Sequence, residues 1–263
     1  MTDVTEIDLA TLGAIVEHKH QEYKKIRSLF KYFKGAQDKD SIYFSYDQLQ
    51  KHGIQASSMD LERGGRFFNP VPLSEFKSWV FDEGNVCELE WDPDHWRNRD
   101  AEQIYNRCWA LITSEIPKHA QTEEMGLFLD YTPWRKVIIA RTHMGGNSGN
   151  YFPDELTDWM NHTALDTYES RDTDSHVISF SSHGLWPSKN TESKLARSEI
   201  LVALDIIMHR MQWPPHITNH IFPVLMISCF NRQARINEVY FEDDILHFNS
   251  TPFLDMEVFD KYQ

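Results

Sequence analysis

The last third of the chain holds ionisable side chains where apolar ones are expected. Glu199, Asp205 and His209 lie in the run SEILVALDIIMHRM, and Arg235 and Glu238 lie in ARINEVYF. A charge set among Val, Ile and Leu must find a partner or keep a solvated pocket, because an isolated buried charge is too costly to retain. On a helix, Asp205 and His209 are four residues apart and can pair, whereas Glu199 and Asp205, six apart, point to different faces. Two outcomes are open for these groups: a structural ion pair, or a pocket carboxylate that does acid–base work or grips a cation. In the second run, Arg235, Asn237 and Val239 alternate with Ile236, Glu238 and Tyr240, so one of the two faces carries charge towards solvent or a cleft.

Three further constellations have the residue types for chemistry. Ser179-Phe-Ser-Ser-His183-Gly184 puts hydroxyls beside an imidazole at a strand end. A nucleophile and its base must meet in space, which sequence neighbours rarely do, and the other reading is a turn whose Ser and His satisfy backbone groups. His216 and His220 have the i, i+4 spacing of helical metal ligands, but Pro215 precedes them and no glutamate lies between, so a loop and no metal are expected. The loop Gly145-Gly-Asn-Ser-Gly149 lacks the Lys-Ser/Thr of a phosphate-binding loop and the spacing of a dinucleotide fingerprint. Asp154 and Glu155 just after it place negative charge where an anion would sit, so a plain loop and no cofactor are expected.

The elements that must position these groups follow from periodicity. Leu9, Leu12, Val16, Tyr23, Ile26, Phe30 and Phe33 predict a helix over 5–34 with a polar interruption near Lys19 and His20, stopped at Gly35. Ser45 and Gln48 have capping-box spacing for a short helix closed by Gly53, and residues 56–72 read as irregular. Asp100 caps a second long helix whose buried stripe is Ile104, Cys108, Leu111 and Ile112, with its exit at Pro117. Strands are predicted at 136–142 and 176–180, with a helix between them at 154–165, and the apolar helix occupies 193–212. Three strands follow, at 222–230, 234–241 and 245–248, joined tightly enough for an antiparallel meander. The first is apolar throughout and therefore central, with Pro223 at its start. The expected class is α+β: N-terminal helices followed by a mixed sheet that ends in an antiparallel meander. A single domain over 1–263 is expected, mainly helical to residue 120 and sheet-containing from 121.

The chain has 263 residues and a formal net charge of −14, and its mean field repels nucleic acid. Between His18 and Lys34, however, Lys19, Lys24, Lys25, Arg27, Lys31 and Lys34 face Glu22 alone. That segment is either a solvated face or a contact for a polyanion. Three widely spaced cysteines form no metal or disulfide pattern, and no apolar run approaches the ~20 residues needed to cross a bilayer. A cytoplasmic protein with no membrane contact is expected.

The run His220-Ile-Phe-Pro-Val-Leu-Met-Ile-Ser-Cys-Phe230, then Ala234-Arg-Ile236, a polar turn and an Ile-Leu strand, resembles a group of ascomycete proteins associated with natural-product pathways. Within that group it is similar to the arginine-containing cyclodipeptide synthases, over roughly the last seventy residues. The family's DDxxE motif is matched by Leu165-Asp166-Thr-Tyr-Glu169, with Leu165 in place of the first acid. The resemblance implies a transferase that condenses arginine with a second amino acid from aminoacyl-tRNAs. It makes Asp166, Glu169, His183 and Glu199 candidates for acid–base work or arginine recognition, and Asp205 and Trp186 candidates for contact with the amino-acid-derived substrate. Lys24, Lys25, Lys31 and Lys34 would then meet tRNA phosphates. Two other classes stay open. An acidic helix followed by strands is also similar to the PD-(D/E)xK nuclease core, though Arg235-Ile-Asn-Glu238 is the nearest match to its strand motif. A non-catalytic ligand-binding protein would instead use Trp91, Trp96 and Trp134 as a pocket.

Overall fold

The computed structural model describes residues 8–35, 42–70, 99–113, 115–117, 125–127, 129, 132, 134–137, 159–167 and 175–259. In chain order the elements are α1 (Leu9–Gly35), β1 (Tyr43–Ser45), α2 (Tyr46–Gln50), β2 (Ile54–Ser58), α3 (Arg99–Ile112), β3 (Glu115–Pro117), β4 (Met125–Leu127) and β5 (Trp134–Val137). They continue with β6 (Trp159–Thr167), β7 (Val177–His183), β8 (Lys194–Ala196), α4 (Arg197–Met211), β9 (Val224–Phe230), β10 (Gln233–Glu242), β11 (Ile245–Ser250), β12 (Leu254–Asp255) and α5 (Met256–Phe259). The class is α+β. The main sheet runs β2-β11-β10-β9-β7-β6-β5, with β12 added to β10.

Strands β9, β10 and β11 form the antiparallel meander. Its turns are tight because Asn231, Asp243 and Asp244 accept positive φ, at 45°, 49° and 66°, which the two-residue hairpin geometry needs. Strand β9 lies at the centre of the sheet and pairs in parallel with β7, so the connection between them is a crossover that carries α4. Burial on both faces explains why VLMISCF has no alternation. Every residue of α4 except His209 and Met211 is buried, since the helix is held between α1 and the sheet. Ile26, Phe30 and Phe33 of α1, Ile200 to Leu204 of α4 and Val224, Met226, Val239 and Phe248 of the sheet share one apolar cluster. On the other face α3 covers β7 and β9 through Ala101, Ile104, Cys229 and Ala234.

Helix α1 runs unbroken through Lys19 and His20 and starts at Asp8, whose Oδ1 accepts the Ala10 and Thr11 amides at 2.9 Å each. The Ser45–Gln48 capping box forms as its spacing predicts. Three expectations are corrected. Residues 159–165 are strand rather than helix: Ala164 and Leu165 mimic a helical stripe, but pairing with β5 on one side and β7 on the other decides the matter. Residues 56–58, read as irregular, belong to the edge strand β2, parallel to β11. Asp100 lies within the first turn of α3 and is turned inward to Arg232, at 2.8 Å, rather than capping the helix.

Because α4 fills the space between α1 and the sheet, Leu204→Ala should lower unfolding free energy by about 2–5 kcal/mol in urea titration. A cost below about 0.5 kcal/mol would contradict the central place of α4.

Candidate functional site

Strand register sorts the sheet face under α4 into two halves. Val177, Val224 and Val239 stand level at one end of the strands, and Ser181, Ser228 and Arg235 stand level at the other. The N-terminus of α4 lies over the polar half. Glu199 is the third residue of the helix, where a carboxylate can turn back to the preceding amide, and its Oε2 accepts the Ala196 N–H at 2.9 Å. The same carboxylate takes both prongs of Arg235, with Nε at 3.1 Å from Oε1 and Nη2 on Oε2, and Oε1 also accepts Asn237 Nδ2 at 2.9 Å. Asn237 Oδ1 in turn accepts the Ser250 hydroxyl at 2.6 Å, and Arg235 Nη1 donates to the Lys194 carbonyl at 2.9 Å. Glu199, Arg235 and Asn237 are each 0% exposed. Burial pushes the Glu199 carboxyl up, but Arg235 and the hydrogen bonds more than offset it, and it titrates below the ordinary glutamate range.

His183 ends the same row. Its Nε2 lies 2.9 Å from Ser181 Oγ and its Nδ1 2.7 Å from Ser198 Oγ, while its ring stacks on Phe230 at 4.4 Å. Burial lowers its pKa to about 4, so the ring is neutral at pH 7. Both ring nitrogens and both hydroxyls are used within the core.

Asp166 is at the opposite end of α4. Its carboxylate takes Arg210 in a two-pronged pair at 2.6 and 3.0 Å. Arg210 Nη2 also donates to His216 Nε2, which only a neutral imidazole can accept, and burial and then Arg210 hold His216 at about 4. Lys19 closes this corner by donating to the His216 carbonyl. Glu199 and Arg210 are eleven residues apart on α4, about 16 Å along the helix. Of the four residues the resemblance singled out, His183 and Glu199 therefore meet at one end of the sheet, Asp166 is at the other, and Glu169 lies outside the described residues. Leu165 is a core residue, and neighbours on a strand point to opposite faces, so an acid there could not share a site with Asp166.

The remaining candidates disperse as well. Asp205 is buried within α4, Trp186 is half-exposed in the segment after β7, and Lys24, Lys25, Lys31 and Lys34 are exposed on α1. Lys25 pairs with Asp244. A surface groove of about 470 Å³ is lined by Lys24, Lys25, Tyr32, His52, Phe241 and Asp244. His216 belongs to the Arg210 corner, and His220 is exposed in the loop before β9. Among the described residues no three His, Cys, Asp or Glu side chains are grouped to hold a metal ion. Trp134 stacks on Phe68 at 6.1 Å, while Trp91, Trp96 and the Gly145–Gly149 loop lie outside the described residues.

Neither face of β10 carries its charge to a cleft, contrary to the alternation reading. Arg235 and Asn237 are bound to Glu199, and Glu238, 0% exposed on the other face, accepts the amides of Arg66, Phe67 and Phe68 at 2.9, 2.8 and 3.2 Å. Gly65 is required beneath that loop, since a Cβ there would come within 2.3 Å of the Glu238 carboxylate.

A second Ser–His pair lies on the face covered by α3. Ser182 Oγ is 2.8 Å from His162 Nε2, and the His162 ring stacks on Tyr105 of α3 at 4.0 Å and 9°. The two neighbouring hydroxyls of the Ser-Ser-His run thus each have an imidazole, on opposite faces of the sheet. His162 carries no signal in the sequence: it is twenty residues from Ser182 and sits in a segment that reads as helix.

No family model matches the chain, and neither a curated protein nor a solved structure matches it. No described helix is long and apolar enough to cross a membrane.

His162, His183 and His216 each titrate near 4 in the fold, mainly through burial, against an ordinary value of 6.5. Between those values the unfolded chain binds protons that the fold refuses. The contribution is therefore complete above about pH 6.5 and is lost as pH falls towards 4. Urea midpoints should fall steadily over pH 6.5–4, with His183 alone worth about 3 kcal/mol. A midpoint constant over that range would contradict the burial of neutral imidazoles.

Proposed function

We propose that this protein binds tRNA along α1 and uses the aminoacyl groups it carries, condensing them to a cyclic dipeptide as the C-terminal resemblance implies. The observation that supports RNA contact is the arrangement of bases on α1. Lys24, Arg27, Lys31 and Lys34 fall within an arc of about 80° and span about 15 Å of helix, at 100° and 1.5 Å per residue. All four are exposed, and from His18 to Gly35 the only acid on the helix is Glu22, which is buried. Lys25 points away from this stripe to Asp244. Tyr32, which packs on His52 at 4.2 Å in the groove already described, lies on the Lys25 side of the helix, away from this stripe. In a chain with net charge −14, such a stripe marks where a polyanion can approach.

The preference for arginine rests on the resemblance alone. Asp166 and Glu199, the carboxylates expected to grip a guanidinium, already hold Arg210 and Arg235 of the protein itself.

Reversing Lys24, Arg27, Lys31 and Lys34 to Glu should abolish retention of tRNA in filter binding, while Lys25→Glu leaves it unchanged. Wild-type binding should fall with salt with a log–log slope of about −3 to −4, as four phosphate contacts require. Unaltered tRNA binding by the fourfold variant would overturn the reading. So would the absence of any cyclic dipeptide when well-folded protein meets every pairing of charged tRNAs.

A further inference from the structure

We propose that β2 pairs with the β2 of a second copy of this chain, antiparallel about a two-fold axis at Ala56, so that two main sheets join edge to edge. The inference stands on backbone geometry and is independent of the RNA reading. Strand β2 ends the described sheet, with β11 on its inner side. The parallel ladder takes every second residue of β2: the Leu246 amide donates to the Gly53 carbonyl at 3.0 Å, and the Met59 amide donates to the Ser250 carbonyl at 2.8 Å. Gly53, Gln55, Ser57 and Met59 therefore turn their backbone groups to β11, and the N–H and C=O of Ile54, Ala56 and Ser58 point outward. None of these outward groups has a hydrogen-bond partner among the described residues.

The edge also lacks the proline or charge that keeps an exposed strand from associating. Ile54-Gln-Ala-Ser-Ser58 contains neither, and Gln55, Ser57 and Ser58 are exposed. At the opposite end of the described sheet, β5 has Arg135 and Lys136 in its sequence. Beside β2 a groove of about 350 Å³, lined by Tyr46, Asp47, Gln50, Ile54, Ala56 and Ile245, leaves room for a neighbouring strand.

A second copy is the occupant because the strand is complementary to itself. An axis at Ala56 sets Ile54 opposite the partner's Ser58 and Ala56 opposite the partner's Ala56, so each outward N–H meets an outward C=O. The residue on the axis is small, and two of them fit face to face. Continued past the strand, the same register brings Lys51 and His52 towards the partner's Asp60 and the partner's Glu62, basic against acidic. A slip by one residue would set outward groups against inward ones and lose the pairing. One short strand per copy makes a small interface, so the dimer is reversible.

Sedimentation equilibrium of the full chain should show a reversible dimer with Kd on the order of 10 µM. Ala56→Pro removes only an outward N–H, and an edge strand accepts proline there. It should weaken the dimer at least ~10-fold with an unchanged circular dichroism spectrum. Ala56→Cys should link two copies under mild oxidation, since paired Cα atoms about 5.5 Å apart lie within disulfide reach. Peptide mass spectrometry distinguishes that link from any through Cys87, Cys108 or Cys229. A chain that stays monomeric to about 100 µM overturns the proposal and leaves the edge to an extended segment of another protein. A dimer that persists in folded Ala56→Pro overturns it as well. If the proline variant does not fold, the cysteine variant decides: a folded dimer of Ala56→Cys without the link at position 56 overturns the proposal. No RNA is present, so the result is separate from the outcome of tRNA binding.

Discussion

The Glu199–Arg235 pair fixes how the crossover helix meets the sheet. Both side chains are 0% exposed, and removing two charges from water costs several kcal/mol each before anything is gained. The cost is met because no hydrogen-bonding capacity is left over at the carboxylate: Arg235 binds both oxygens, Asn237 binds one and the Ala196 amide the other. This pairing exists in one register only. A shift of β10 by one residue would turn Arg235 and Asn237 to the α3 face and strand Glu199 in an apolar core.

The same helix is anchored at its far end by Arg210 on Asp166, so α4 is held at both ends by ion pairs and along its middle by apolar packing. That division follows from the strands, which present Val177, Val224 and Val239 at one level and Ser181, Ser228 and Arg235 at another. With this face sealed, the exposed basic stripe of α1 lies outside it among the described residues, and the bulged His162 meets Ser182, 1% exposed, on the second face, which α3 covers. The aromatic contacts of Tyr105 tie that second place to α3 in the way that Glu199 ties the first to α4.

Much of the fold is legible because burial leaves a mark on composition. The apolar run of β9, the apolar middle of α4 and the acidic turn at Asp243-Asp244 each point to one element, and the structure agrees. The site is far less legible. Glu199 and Asp166 have the residue type of catalytic acids, but their partners, Arg235 and Arg210, lie 36 and 44 residues away, and no local pattern announces a pairing across a sheet. Residues 159–165 were open to misreading because Ala164 and Leu165 are buried on opposite faces of a strand, which spaces apolar residues much as a helix does. A β-bulge has no sequence signature of its own, so His162 could emerge only from the register of β6 against β7.

The central claim is that Glu199 and Arg235 form a coupled structural pair rather than two site residues, and a double-mutant cycle in urea unfolding tests it most directly. Glu199→Gln and Arg235→Met should each destabilise by about 3–5 kcal/mol, because each leaves a buried polar or charged partner uncompensated. The double variant should cost little more than either single change, giving a coupling of at least about 2 kcal/mol. Single effects that add to within about 0.5 kcal/mol would contradict the account.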